Sequence, residues 1–499
     1  MTTRRGSLRA QLAYLLLAPM LYVLHASRFC GTVLALRGLE SLRWRIGELG
    51  AWVRFRAAVN TVPAYAAFVR QHASGDAVAL LFDDVPEVDK ANYISCWSLE
   101  ERCVGGQLPT RGLLIDESSG SSGQPTNWVR GARERTVNGR TIRMGLQHRL
   151  GHEPLFFINA FALGPWATGI NLTLSLATWS RVKTVGPDLV KIENTLRQFG
   201  PDHHYVIAGY PPFLKQMVDR AQIDWKSYRI SFVFGGEGMS ESMRRYLQDK
   251  GVAEIFGSYG ASDLELNLAA ETPLTIAFRR LLEQRPALAS RVLQHTGALP
   301  MIFQFNPADF FIESNQGGEL VVTICRPWYV APKIRYNIHD LGHVMRVPDL
   351  RRLLKAEGLT IDELESNALD LPLLFHYGRS DASVAYYGCK IPPADIQESL
   401  FRLPELAATV DAFQLRVFED DDGDKRLTLA LEISGERPAD AGAWTAQLFD
   451  TLANVNQDFR ESRRMVPAHK EPTVELHPLG TGPFEHADIR IKRNYLARE

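Results

Sequence analysis

Between Val190 and Gly260 the chain alternates in a way that few architectures permit. Val190 to Phe199 and Pro212 to Ala221 carry apolar residues at helical spacing, while Tyr205-Val206-Ile207-Ala208 and Ile230-Ser231-Phe232-Val233-Phe234 read as short strands. The second strand runs into Gly235-Gly236-Glu237-Gly238. Ser240 then caps a helix that stops at Gly251, and Glu254-Ile255-Phe256 leads into Gly257-Ser258-Tyr259-Gly260. Strand, glycine turn, helix, strand is the rhythm of an α/β domain, in which ligands bind at loops beyond the strand ends. Both glycine turns fall at such ends.

A second loop precedes this region. Glu117-Ser118-Ser119-Gly120-Ser121-Ser122-Gly123-Gln124-Pro125-Thr126 is a run of small hydroxylated residues and glycines, composed to point backbone N–H groups and hydroxyls at a polyphosphate. The same composition suits a flexible connector. Its flanks, Leu113-Leu114-Ile115 and Trp128-Val129, are apolar and of strand type, so the loop is mounted on structure. It is not the P-loop of NTPases, because Gln124 follows Gly123 where that motif has Lys-Ser/Thr, and only two residues separate its glycines.

At 499 residues the chain predicts two or three domains. A formal net charge of −1, with no long run of one sign, gives no electrostatic footprint for nucleic acid. Cys30, Cys96, Cys103, Cys325 and Cys389 are scattered and contain no Cys-x-x-Cys pair, which fits a reducing, cytoplasmic compartment and no structural zinc. Arg4 and Arg5 precede an apolar run from Leu12 to Leu24 that contains Pro19 and is too short to span a bilayer. A helical segment packed on the body, or touching a membrane surface, is preferred to a cleaved signal.

Residues 1 to 68 read as helices. Pro273 to Leu299 reads as a helical insertion, and β character follows in Met301 to Phe305, Phe310 to Glu313 and Gly317 to Thr323. A boundary is placed near Gly378 to Asp381. Beyond it come a helix from Ile396 to Phe401, two strands (Phe413 to Phe418 and Leu427 to Ile433) joined across Asp422-Gly423, and one helix from Ala443 to Phe459. Phe161, Trp166 and Tyr210 suit the lining of an apolar pocket, and plain core packing explains the same residues.

The serine loop, Gly235-Gly236-Glu237, Ser258-Tyr259-Gly260-Ala261-Ser262-Asp263, Asp340-Leu341-Gly342 and Gly378-Arg379-Ser380-Asp381, in that order, resemble the adenylate-forming superfamily. The nearest likeness is to phenylacetate–coenzyme A ligases, and it covers nearly all of the chain from Val62 onward. The resemblance implies an α/β fold with a large N-terminal domain of mixed sheets and helices and a small, mobile α+β C-terminal domain. Residues 1–68 would be a helical segment of the large domain, 69–378 its ATP- and acid-binding part, and 379–499 the lid. It also implies an acyl-adenylate made from ATP and a carboxylic acid, with Mg²⁺, followed by transfer to coenzyme A.

By the same resemblance, Ser118, Ser119, Gly120, Ser121, Ser122 and Gly123 would hold the β- and γ-phosphates. Gly236, Glu237, Gly238 and Gly260 would frame the adenine, with Tyr259 stacking on it. Ser262 would approach the α-phosphate, and Phe161, Trp166 and Tyr210 would line the pocket for an aromatic or otherwise apolar acid. Asp263 would hold the metal where the family usually has glutamate. Asp340 would accept from the ribose hydroxyls, Arg379 would reach ribose or phosphate, and Asp381 would be the hinge. The catalytic cation of the tail would be Lys492 or, in another register, Arg490. Asn454 to Arg460 and Gly480 to Phe484 are similar to the plant hormone acyl amido synthetases, which leaves an amine acceptor open. The departures at Gln124, Asp263 and the tail keep a third reading, a catalytically silent nucleotide- or acyl-binding scaffold.

Overall fold

The computed structural model describes residues 2–27, 37–73, 82–118, 126–295, 297–380, 383–386, 389–419, 425–435, 441–465, 471–485 and 495–497. Its backbone is one sheet of eleven strands that changes character halfway across. Strands β3 (Leu155–Asn159), β4 (Arg181–Thr184), β5 (His204–Gly209), β6 (Arg229–Gly235) and β7 (Glu254–Tyr259) run parallel in the order β4-β3-β5-β6-β7. From there β8 (Ala269–Ala270), β9 (Met301–Gln304), β13 (Leu373–Arg379), β12 (Tyr336–Met345), β11 (Glu319–Ile324) and β10 (Phe310–Ser314) continue antiparallel. Every residue of β3 and β5 is buried, as a parallel strand covered on both faces requires.

The alternation read in the sequence is present. Helices Leu189–Phe199, Pro211–Arg220 and Glu241–Asp249 connect the parallel strands, and the Ser240 side chain accepts from Met243 N at the start of the third. Arg244, fully buried, bonds Glu241 and Glu271, and Glu271 also accepts from Gly257 N at 2.7 Å. This network fastens the third helix to β7, so the glycine turns on either side of it have a fixed frame.

A two-stranded hairpin, β1 (Leu113–Glu117) and β2 (Asn127–Gly131), stands apart from the large sheet. The first helix, Thr2–Ala26, lies on the second, Glu40–Thr61, through Leu21, Ile46 and Val53. Among the described residues no helix is long and apolar enough to cross a membrane.

Residues 384–496 build a second core around Ile396, Leu415, Leu429, Leu431, Leu448 and Phe459. It is carried on β16 (Val410–Glu419), β17 (Lys425–Ile433) and β18 (Thr473–Pro478), the first pair antiparallel and the second parallel. Sequence periodicity predicts a single helix from Ala443 to Phe459. The structure has two, Ala441–Val455 and Gln457–Met465. The break is Asn456, whose amide donates to Lys390 O and Asp395 Oδ2 and accepts from Phe459 N. The side chain thus starts the second helix while tying both helices to their neighbours.

Candidate active site

The site grows from the carboxyl ends of the parallel strands. The turn after β6 passes through Gly236 with φ +81°, a left-handed conformation that costs glycine little. A Cβ on Gly235 would stand 3.1 Å from Ser258 O and 3.8 Å from the Phe161 ring, so this backbone lies flat against its neighbours. After β7, a Cβ on Gly260 would fall 2.5 Å from the carbonyl oxygens of Glu265 and Leu266. Only glycine lets the chain fold back there and present Ser262 and Asp263.

Four predicted or newly found groups meet at the seam between the two halves of the sheet. Asp340 on β12 pairs in register with Arg379 at the end of β13. The Tyr259 hydroxyl donates to Asp340 Oδ2 at 2.7 Å, and His376 Nε2 lies 3.3 Å from the same oxygen. Burial alone would raise the Asp340 pKa, but His376, Tyr259 and Arg379 outweigh it and hold the carboxyl below its usual range. Asp340 is therefore an anion held on donors. The Tyr259 ring packs against Phe303 at 5.6 Å and His376 at 4.8 Å. Its hydroxyl is engaged by Asp340, and Phe303 and His376 lie 6.5 Å from each other beside the ring.

Beside this group Glu319 on β11 accepts from Asn337, His339 and Ser380 at 2.8, 3.2 and 2.7 Å. These donors overcome the effect of burial and bring its pKa down to about 2. Glu319 thereby ties the Asp340 strand to Ser380, the residue before the expected hinge Asp381. Asp381 itself lies outside the described residues.

The phosphate side is organised by the hairpin. Ser118 N donates to Thr126 O at 3.1 Å, closing the base of the serine loop; Ser119 to Gly123, with Gln124, lie outside the described residues. Arg130 on β2 bonds Asp116 at 2.8 Å and donates to Ser262 O at 2.6 Å and Leu264 O at 3.1 Å. One buried guanidinium so joins the loop's hairpin to the turn that carries Ser262 and Asp263. Asp263 accepts from the Tyr336 hydroxyl at 2.8 Å and has Lys90 Nζ 3.4 Å away.

A second ammonium, Lys333, is 7 % exposed and stands 4.2 Å over the Trp128 ring and 5.4 Å over Tyr336. Burial, with Arg102 and Arg130 nearby and against the pull of Asp263, pushes its pKa down to about 7. Among the described residues no group of three or more His, Cys, Asp or Glu side chains could hold a metal ion. Asp263 supplies one carboxylate. That donor set suits a hard cation only in company with phosphate oxygens.

The expected acid pocket is brought together in part. The rings of Phe161 and Tyr210 meet edge to face at 5.0 Å beyond β3 and β5. Trp166 is half-buried and pairs with Glu117 at the base of the hairpin. Lys492 and Arg490 lie outside the described residues, but the tail beyond them returns: Tyr495 donates to Glu237 Oε2 at 2.6 Å, and residues 495–497 add to the edge of β16 at Leu415.

His376, Lys333, Glu319, Arg130 and Tyr495 were not read from the sequence as site residues. Lys333 offered a signal, a lysine within the apolar stretch Tyr329 to Ile334; the others offered none.

No sequence family and no curated protein matches the chain. Solved structures do. A 2-hydroxyisobutyryl-CoA ligase in the postadenylation state, in complex with R3-HIB-AMP, aligns with a TM-score of 0.64 and 13 % identity over 92 % of this chain and 89 % of that one. The same ligase with 2-HIB-AMP and CoA gives 0.52 at 14 % identity in the thioesterification state (92 % and 90 % covered) and 0.51 at 15 % in an open conformation (92 % and 91 %). The chain has the α/β fold of these adenylate-forming ligases, including the smaller C-terminal unit.

Proposed function

We propose that the protein activates a carboxylic acid with ATP and passes the acyl group on, with coenzyme A as the acceptor. The observation that carries this reading is the meeting of Tyr259, Asp340, His376 and Arg379 at the seam of the sheet, with the Gly236 turn at the end of β6 and the β1–β2 hairpin joined through Arg130 to the turn that bears Ser262. The acid's carboxylate oxygen attacks the α-phosphorus, the bond to the bridging oxygen breaks, and pyrophosphate leaves. Attack of a thiolate on the acyl carbon then expels AMP. Positioning and charge stabilisation supply most of the catalysis in such a transfer.

In this reading Asp340 accepts the ribose hydroxyls, Tyr259 and His376 orient it, and Arg379 reaches ribose or phosphate. Gly236 to Gly238 form the adenine wall with Gly260, and Tyr259 stacks on the base. Ser118 to Gly123 receive the β- and γ-phosphates. Asp263 with those phosphates would hold Mg²⁺, which would neutralise charge on the triphosphate. Lys90 and Lys333 add positive charge at the loop's base, where the loop itself has Gln124, and this favours an active site over a silent scaffold. Lys492 or Arg490 would supply the tail's cation. Phe161, Trp166 and Tyr210 suit an apolar or aromatic acid. Residues 379–499 would turn about Asp381 between the two half-reactions.

Exchange of labelled pyrophosphate into ATP, measured across a panel of aryl and aliphatic acids, tests the first step whatever the acceptor. Acid-dependent exchange is expected, and its loss is expected in Asp340→Ala. Absence of exchange with every acid in the presence of Mg²⁺ overturns the reading. Mass spectrometry of products formed with coenzyme A or with amines then identifies the acceptor.

A further inference from the structure

The first helix has two apolar faces, and only one of them is covered. Tyr14, Leu17, Ala18, Leu21 and Leu24 pack against the second helix and Ala308. On the opposite side Leu12, Leu15, Leu16, Pro19, Met20 and Val23 face solvent, Leu16 at 75 % exposure and Leu15 at 65 %. At about 100° per residue these positions form one continuous stripe. A contiguous apolar surface of this kind marks an interaction site.

Charge identifies the partner. The sequence has no Asp or Glu before Glu40, while Arg4, Arg5, Arg9, Arg28 and Arg37 fall in that stretch. The whole chain is at −1, so positive charge is concentrated here and the rest is net acidic. Beside the helix, the Arg133 guanidinium donates to the Tyr22 hydroxyl at 2.6 Å and lies over the Tyr22 and Trp328 rings. Arg133, Arg140 and Arg143 are all exposed on one side of helix Ala132–Leu150. A second copy of the chain would bring two positive segments together with no acid on either. An anionic bilayer surface satisfies both the apolar stripe and the arginines.

We infer that the first helix docks the protein on anionic membranes, lying in the interface with Leu12, Leu15, Leu16, Met20 and Val23 toward the acyl chains. The inference is of a helix lying on the surface; among the described residues no helix is both long and apolar enough to cross a membrane. This inference is independent of the proposed chemistry and stands or falls on binding alone.

The test is sedimentation of the full chain with sucrose-loaded vesicles of phosphatidylcholine alone and of phosphatidylcholine with roughly one part in three phosphatidylserine. Binding is expected to the second at low salt and to fall steeply as salt is added. The double variant Leu12→Glu/Leu16→Glu should lower the bound fraction by about tenfold. Both positions are exposed, so circular dichroism and the thermal midpoint should be unchanged. Replacing Arg4, Arg5 and Arg9 together by Gln should weaken binding to the anionic vesicles. Equal binding of wild type and double variant overturns the inference, as does equal binding of wild type to both vesicle types. If wild type binds neither and instead forms a dimer by light scattering that Leu16→Glu dissolves, a second copy is the occupant and the membrane is excluded. Should the double variant fail to fold, the comparison of the two lipid compositions with wild type still decides.

Discussion

Lys333 is the residue on which pH should act most clearly. Its ammonium is buried against Trp128 and titrates near 7, whereas an unfolded lysine titrates near 10.4. Below about pH 7 both states are charged and the folded chain carries the full cost of burial. Between about 7 and 10 the unfolded state holds the extra proton, so stability rises with pH. Lys333→Met should therefore be more stable than wild type by roughly 3–5 kcal/mol near pH 6, with the gain shrinking toward pH 10, as read by urea unfolding across that range. The same variant should raise KM for ATP and remove the rise in KM expected of wild type above about pH 7. Parallel pH profiles for the two proteins refute both statements. Asp340→Asn leaves Tyr259 and His376 facing a neutral amide, and a loss of about 2–3 kcal/mol in ATP binding is expected by calorimetry with little change in melting temperature. Asp340, Tyr259 and Arg379 could be singled out beforehand because each belongs to a motif of the family resemblance, and the structure sets all three on strands, β12, β7 and β13. His376 could not, because its neighbours come from strands far away in sequence, and Lys333 left only the trace of a lysine within an apolar stretch.

At the level of elements, glycine marked the ends of β6 and β7 correctly, and the backbone gives the reason. The turn after β7 closes so tightly at Gly260 that a methyl group would overlap two carbonyl oxygens. Gly260→Ala should cost about 1–3 kcal/mol in chemical denaturation and, by moving Ser262 and Asp263, lower pyrophosphate exchange more than a surface substitution of equal cost. Strands β5, β6 and β7 were legible as apolar runs between turn residues. The helix pair around Asn456 was not, because helical spacing continues through the break. What divides it is an amide that serves Lys390, Asp395 and Phe459 at once, and such tertiary demands leave no periodic trace. The Ser/Gly run shows the complementary case, since its composition fitted a linker as well as a cradle and its placement on the β1–β2 hairpin favours the second.

Across the whole molecule, the C-terminal core is held on the large sheet's helices by a small set of polar contacts. Lys215 donates to Val410 O at 3.0 Å, Arg220 meets Asp411 at 2.6 Å, Ser242 donates to Glu398 at 2.9 Å, Ala298 N donates to Asp395 at 2.7 Å, and Tyr495 reaches Glu237. The order of strands in the large sheet, and this docking, had no sequence signal, because both are set by which surfaces meet after the elements form. If residues 379–499 turn between half-reactions, Asp411→Asn should slow adenylation more than thioester formation, by about tenfold in single-turnover measurements of each step. Equal slowing of both steps removes the link between this contact and the orientation. Arg220 is partly exposed while Asp411 is buried, so counter-ions reach one partner of the pair and not the other. If residues 379–499 turn as proposed, the resting orientation is a quantity that dissolved salt would tune, and the electrolyte around the protein would become a control on which half of the proposed reaction the molecule is poised to perform.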